Sequence, residues 1–172
     1  MAVHTINVPE STDERQVLDV GELSVELNSR LCKGQAAPPF DVQTLDGKGI
    51  RLQDLKGKIV LLSFWASWCG ECVADIPMLK KLYNEFGSDR RFVMIGLSLD
   101  RSVQKLRNFV KSQEMNWTQG ILGDWSESKI PSQYAASFIP TMYLIDQNGI
   151  VVDVLRGSKM RDVIEKALAD LE

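Results

Sequence analysis

The 172 residues are 44% hydrophobic and 25% charged, ordinary values for one soluble domain with a proper core and a short extension. A net charge of −3 leaves no electrostatic footprint for nucleic acid, and no run approaches the roughly 18 consecutive apolar residues of a membrane span. Three cysteines (Cys32, Cys69, Cys72) and one histidine, His4, are too few for a disulfide scaffold, and a zinc site would need all four of them. Val73 after Cys72 breaks the c-type haem attachment pattern, and the one histidine that a hydrolase could use as base lies at a terminus.

Residues 1–10 lack a basic stretch followed by an apolar one, so they form no secretory signal. A cytosolic protein and a piece of a longer exported precursor both fit that. Residues 1–33 are polar and weakly patterned and read as an extension or linker, although Leu23, Val25 and Leu27 alternate as in a short strand. Cys32, at its end, reads as a structural thiol.

From Gly34 the pattern sharpens. Residues 36–40 lead into a hairpin in which 41–45 pair with 50–52 across Asp46-Gly47. Residues 52–55 suit one helical turn, stopped by Lys56-Gly57-Lys58. Residues 59–65 are nearly all apolar, as in a strand buried on both faces. Residues 72–86 place Val73, Ile76, Leu79, Leu82, Tyr83 and Phe86 near helical spacing, and Pro77 should interrupt and kink that helix. A strand over 92–99 ends at Asp100. A helix follows, capped by Ser102, with Val103, Leu106, Phe109 and Val110 on one face. Residues 117–122 form a short strand, 123–128 a loop, and 131–137 contain a short helix. Residues 141–145 and 150–155 pair around an Asn148-Gly149 turn, and a last amphipathic helix aligns Met160, Val163, Ile164, Ala167, Leu168 and Leu171. This order predicts an α/β domain with a mixed central sheet.

The informative motif is the pair Cys69 and Cys72, behind the 59–65 strand and at the start of a helix. Two thiols at this spacing close a small ring when both sit in the first helical turn. Cys69 then keeps an accessible sulfur at the positive end of the helix dipole, which favours its thiolate, while Cys72 is covered by the helix. The arrangement predicts thiol–disulfide exchange through a mixed disulfide, with Cys69 attacking and Cys72 resolving. Two reduced core cysteines, or half of a metal site, are the bland readings of the same pair. Trp65 and Trp68 suit a rim around an exposed sulfur.

Residues 57–72, GKIVLLSFWASWCGEC, resemble the TlpA/ResA family of thioredoxin-like thiol:disulfide oxidoreductases. The likeness continues through Asp75-Ile76-Pro77, residues 96–100, Ile139-Pro140-Thr141 and residues 144–149, and covers 34–172. It implies a thioredoxin-like fold over 34–172, with a mixed sheet flanked by helices, an N-terminal β-hairpin and an α–β insertion over about 100–123. It also implies that Pro140 is a cis-proline facing the cysteines, with the backbone of Ile139 against substrate. Asp75 would be an acid below the thiols that tunes them or relays a proton, and Trp68, Gly70 and Glu71 would support the site. Protein disulfides are the implied substrates and a membrane thiol donor the implied electron source, with no cofactor, metal or nucleic acid. The implied location is extracytoplasmic, periplasmic or membrane-anchored, and the implied state a monomer.

Two positions depart from the family. Glu71 stands where most members have proline, and its carboxylate should oppose a thiolate at Cys69 and shift the pair toward the reducing side. Ser63 stands where housekeeping thioredoxins have a buried aspartate, which leaves Asp75 as the nearer proton acceptor. A peroxidase of the peroxiredoxin type is the enzymatic alternative, but it needs threonine where Ala66 stands. A copper-binding module would need wider cysteine spacing and a downstream histidine. A redox-silent interaction module of a larger exported protein is the third alternative, and it would have no use for two intact cysteines.

Overall fold

The computed structural model describes residues 31–155 and 159–171. The alternation at 23–27 and His4 lie outside the described residues. β1 (Asp41–Gln43) and β2 (Gly49–Arg51) pair antiparallel, with Val42 opposite Ile50, and a 3-10 turn over Leu52–Leu55 follows. The chain then runs through β3 (Ile59–Trp65), α1 (Gly70–Phe86), β4 (Phe92–Ser98), α2 (Val103–Ser112) and β5 (Thr118–Ile121). After α3 (Ile130–Gln133) come β6 (Thr141–Ile145), β7 (Val151–Leu155) and α4 (Met160–Ala169).

Five strands form one mixed sheet in the order β5-β4-β3-β6-β7. β3, β4 and β5 are parallel, while β6 runs antiparallel to both β3 and β7. This is the thioredoxin-like fold, its sheet flanked by helices and its hairpin at the N-terminal end. All seven residues of β3 are buried, which requires cover on both faces of the sheet. α1 supplies Cys72, Ile76, Leu79 and Leu82 to the core, and α4 supplies Met160, Ile164, Ala167 and Leu168. Each buried Ile, Leu or Met among them contributes about 1.5–3 kcal/mol by leaving water.

α1 begins at Gly70, earlier than the apolar spacing suggests, because Cys69 caps it. It also continues without interruption through Pro77, which is exposed. Proline removes the hydrogen bond to the carbonyl of Val73 but leaves the rest of the ladder intact. Ser102 caps α2 as its sequence suggests, its hydroxyl accepting the N–H of Lys105 at 3.3 Å. Val103, however, sits in the first turn of α2 and is exposed, so the packed stripe narrows to Leu106 with Phe109 and Val110 half-buried beside it. α3 is a single turn, the short helix expected within 131–137, and it begins one residue earlier at Ile130.

Candidate active site

The parallel register sets Trp65 beside Ser98 at the carboxyl ends of β3 and β4, so Ser67 and Asp100 emerge level with each other. The Cys69 N–H closes a turn onto the Ala66 carbonyl at 3.2 Å. Inside that turn, Ser67 donates its backbone N–H to Asp100 Oδ2 at 2.9 Å and its hydroxyl to Oδ1 at 2.6 Å. Ser98 donates its hydroxyl to Oδ2 at 2.8 Å. Asp100 is buried, and three donors meet its two oxygens. Trp68, at the tip, is 62% exposed.

Cys69 is the N-cap of α1. It forms a disulfide with Cys72, the two Cα atoms 5.2 Å apart, and its sulfur accepts the Cys72 N–H at 3.2 Å. An anion formed at Cys69 on reduction would meet that N–H and the positive end of a 17-residue helix. Both sulfurs belong to buried residues, with Cys72 the deeper at 3% exposure against 9% for Cys69. Across from them the Ile139–Pro140 peptide is cis, and the Ile139 carbonyl oxygen lies 3.8 Å from Cys69 Sγ. Thr141 holds that loop by donating its hydroxyl to the Phe138 carbonyl at 2.7 Å, and Phe138 is half exposed.

Glu71, Asp75, Phe138 and Pro140 line one cleft of about 370 Å³. Asp75 is half-buried rather than sealed below the thiols. Burial first, and the negative charge of Glu71 second, push its carboxyl above the ordinary carboxylate value. Glu71 and Gly70 are exposed on the first turn of α1. Ser63 lines a small cavity of about 10 Å³ beneath Cys72, room for about one water. Larger grooves of about 420 and 620 Å³ flank the hairpin and are lined by no cysteine.

The structure therefore gathers Trp68, Cys69, Gly70, Glu71, Cys72, Asp75, Ile139 and Pro140 at one end of the sheet. Trp65 is not on the rim. It is 4% exposed, with its indole N–H donating to Gln119 Oε1 at 3.1 Å. Cys32 is exposed and outside the disulfide. Sequence reasoning missed Asp100 as a partner of Ser67. The available signal was the β3–β4 register, which places both residues where parallel strands end and sites collect.

Comparison with known proteins points one way. The AhpC/TSA family profile matches residues 33–154. The thiol-disulfide oxidoreductase ResA of Bacillus cereus is 35% identical over 132 residues, covering 77% of this chain and 74% of that protein. The thioredoxin-like protein YneN of Bacillus subtilis is 34% identical over 137 residues, covering 79% and 78%. The thioredoxin domain of a thiol-disulfide oxidoreductase from Bacteroides vulgatus superposes with a TM-score of 0.73 at 31% identity, covering 79% of this chain and 97% of that one.

Proposed function

The chain belongs to the AhpC/TSA family and is a thioredoxin-like thiol-disulfide oxidoreductase, and we propose that it reduces protein disulfides with Cys69 as attacking and Cys72 as resolving thiol. One observation carries this assignment. Cys69 caps α1 beside an exposed Trp68 and a backbone carbonyl, whereas Cys72 lies one turn inward and deeper.

The thiolate of Cys69 attacks one sulfur of a substrate disulfide. That S–S bond breaks, a Cys69–substrate mixed disulfide forms, and the other substrate sulfur leaves as a thiolate that takes a proton. Cys72 then loses its proton and attacks Cys69 Sγ, releasing the second substrate thiolate. Two electrons have passed to the substrate, and the Cys69–Cys72 disulfide remains. Ile139 and cis-Pro140 offer backbone to the extended substrate chain beside the reacting sulfurs. We assign the exchange of the Cys72 proton to Asp75, whose carboxyl is pushed above the ordinary carboxylate value by burial first and by the Glu71 charge second. A dithiol donor must restore the pair. We place that donor in a membrane and the protein on its outer side, a reading that rests on family likeness.

Cys72→Ser should trap substrates as stable mixed disulfides on Cys69, and Cys69→Ser should trap none. Trapping by both variants or by neither overturns the roles. The reduction potential, read by alkylation and mass in a thiol buffer, should fall near the roughly −270 mV of reductases. A value near about −120 mV would make the protein an oxidant instead.

A further inference from the structure

We infer that Asp100 is a positioning residue for the disulfide chemistry, holding the 66–69 turn so that Cys69 stands where it can close on Cys72. The inference rests on Cys69 and Cys72 being the exchanging pair. It adds a residue that touches neither sulfur and lies 31 positions beyond Cys69 in sequence.

The turn is short and has few restraints of its own. Besides the bond from the Cys69 N–H to the Ala66 carbonyl and the cap bonds from Cys72 and Val73 to Cys69, it is tied down at Ser67, whose N–H and hydroxyl both end on Asp100. Asp100 is itself fixed, since it accepts the Ser98 hydroxyl and gives its own N–H to the same oxygen at 3.1 Å. The adjoining strand ends are locked by the Leu99 N–H on the Trp65 carbonyl at 2.9 Å. A buried carboxylate is costly unless its lone pairs are filled, and here the donors that fill them belong to the turn carrying the nucleophile. The same contact therefore satisfies Asp100 and immobilises Ser67.

Restraint of the turn matters most in the dithiol. With the S–S bond open, the effective concentration of Cys69 at Cys72 depends on how tightly residues 66–69 are held. Loosening the turn frees the dithiol more than the disulfide, so ring closure becomes less favourable and the pair less reducing.

The test is the equilibrium of the Cys69–Cys72 pair with dithiothreitol, together with the alkylation rate of reduced Cys69. Asp100→Ala should lower the ring-closure constant about tenfold, about 30 mV in potential for a two-electron couple. Asp100→Asn can keep the network, with its oxygen in place of Oδ2 and its amide donating to the Ser67 hydroxyl, and should stay within about threefold of wild type. A folded Asp100→Ala that keeps the wild-type constant and alkylation rate, with only a lower melting temperature, overturns the inference. So does an Asp100→Asn shift as large as that of Asp100→Ala, because charge rather than position would then be acting. Should Asp100→Ala fail to fold, Ser67→Ala decides, with a shift of about threefold in the same direction expected and an unchanged constant overturning the inference. Wild-type protein that does not exchange with dithiothreitol sinks the proposed function itself, an outcome distinct from these.

Discussion

Glu71 and Asp75 are four residues apart on α1, which puts two carboxylates on one helix face beside the reacting sulfurs. Burial is the larger cause of the raised Asp75 pKa and the Glu71 charge the smaller. Glu71→Gln should therefore bring Asp75 down without returning it to the ordinary value. NMR titration of the Asp75 carboxyl carbon reads this directly, and a full return or no movement contradicts the ordering. The sign for stability follows from linkage. A raised native pKa means that the folded protein binds the Asp75 proton more tightly than the unfolded chain does. The contribution of Asp75 to stability is then fully present below the unfolded carboxylate pKa and is lost as pH rises through the raised native value. Asp75→Asn should gain stability relative to wild type across that window, and a stability difference that is flat with pH would contradict it.

At the scale of elements, strand β4 is constrained by one position. A Cβ on Gly96 would collide with Gln119 Oε1 and lie 2.7 Å from Trp65 Nε1, so the hydrogen bond between those side chains passes over a bare backbone. Gly96→Ala should break that buried bond and overpack its slot, at a cost of about 2–3 kcal/mol. A lower urea midpoint at unchanged m-value checks this, and unaltered stability refutes it. The same contact shows where sequence reading stops. β3 is legible because a strand buried on both faces must be apolar throughout, and the hairpin turns are legible because Asp-Gly and Asn-Gly admit little else. The burial of Trp65 is not, since its slot is made by a missing side chain on β4 and its partner is 54 residues away. The Cys69–Cys72 pair announces itself by spacing, whereas the anchor of the turn that carries it depends on strand register. The start of α1 is legible from the cysteine spacing and not from apolar periodicity, for a local reason. Gly70 and Glu71 are exposed, and helical periodicity marks only faces that are buried.

For the whole molecule, a single stretch of chain hydrogen-bonds to both edge strands of the five-stranded sheet. At the β7 edge, the Gly34 N–H bonds the Val151 carbonyl at 2.8 Å, the Val151 N–H bonds that of Gln35 at 2.9 Å, and the Ala37 N–H bonds that of Gly149 at 2.8 Å. At the opposite edge, Thr44 bridges Gly120 and the Leu45 N–H reaches the Gln119 carbonyl at 2.9 Å. Five strands span about 19 Å, and the residues from Ala37 to Thr44 reach a little farther when extended. Phe40 and Val42 are buried along this crossing, and the Tyr134 hydroxyl pins it by donating to the Pro38 carbonyl at 2.6 Å. Uncovered strand edges pair with other chains, and this strap shields the Val151 end of β7 and the Gln119–Gly120 part of β5. A chain starting at residue 38 should lose about 3 kcal/mol with its three β7 bonds and self-associate with rising concentration in sedimentation. A chain starting at residue 31 keeps those bonds and should be the more stable of the two and the less prone to self-associate. Both should still reduce insulin, because Cys69, Cys72 and Pro140 are untouched. Equal stability and equal sedimentation of the two truncations would mean that the β7 edge needs no cover.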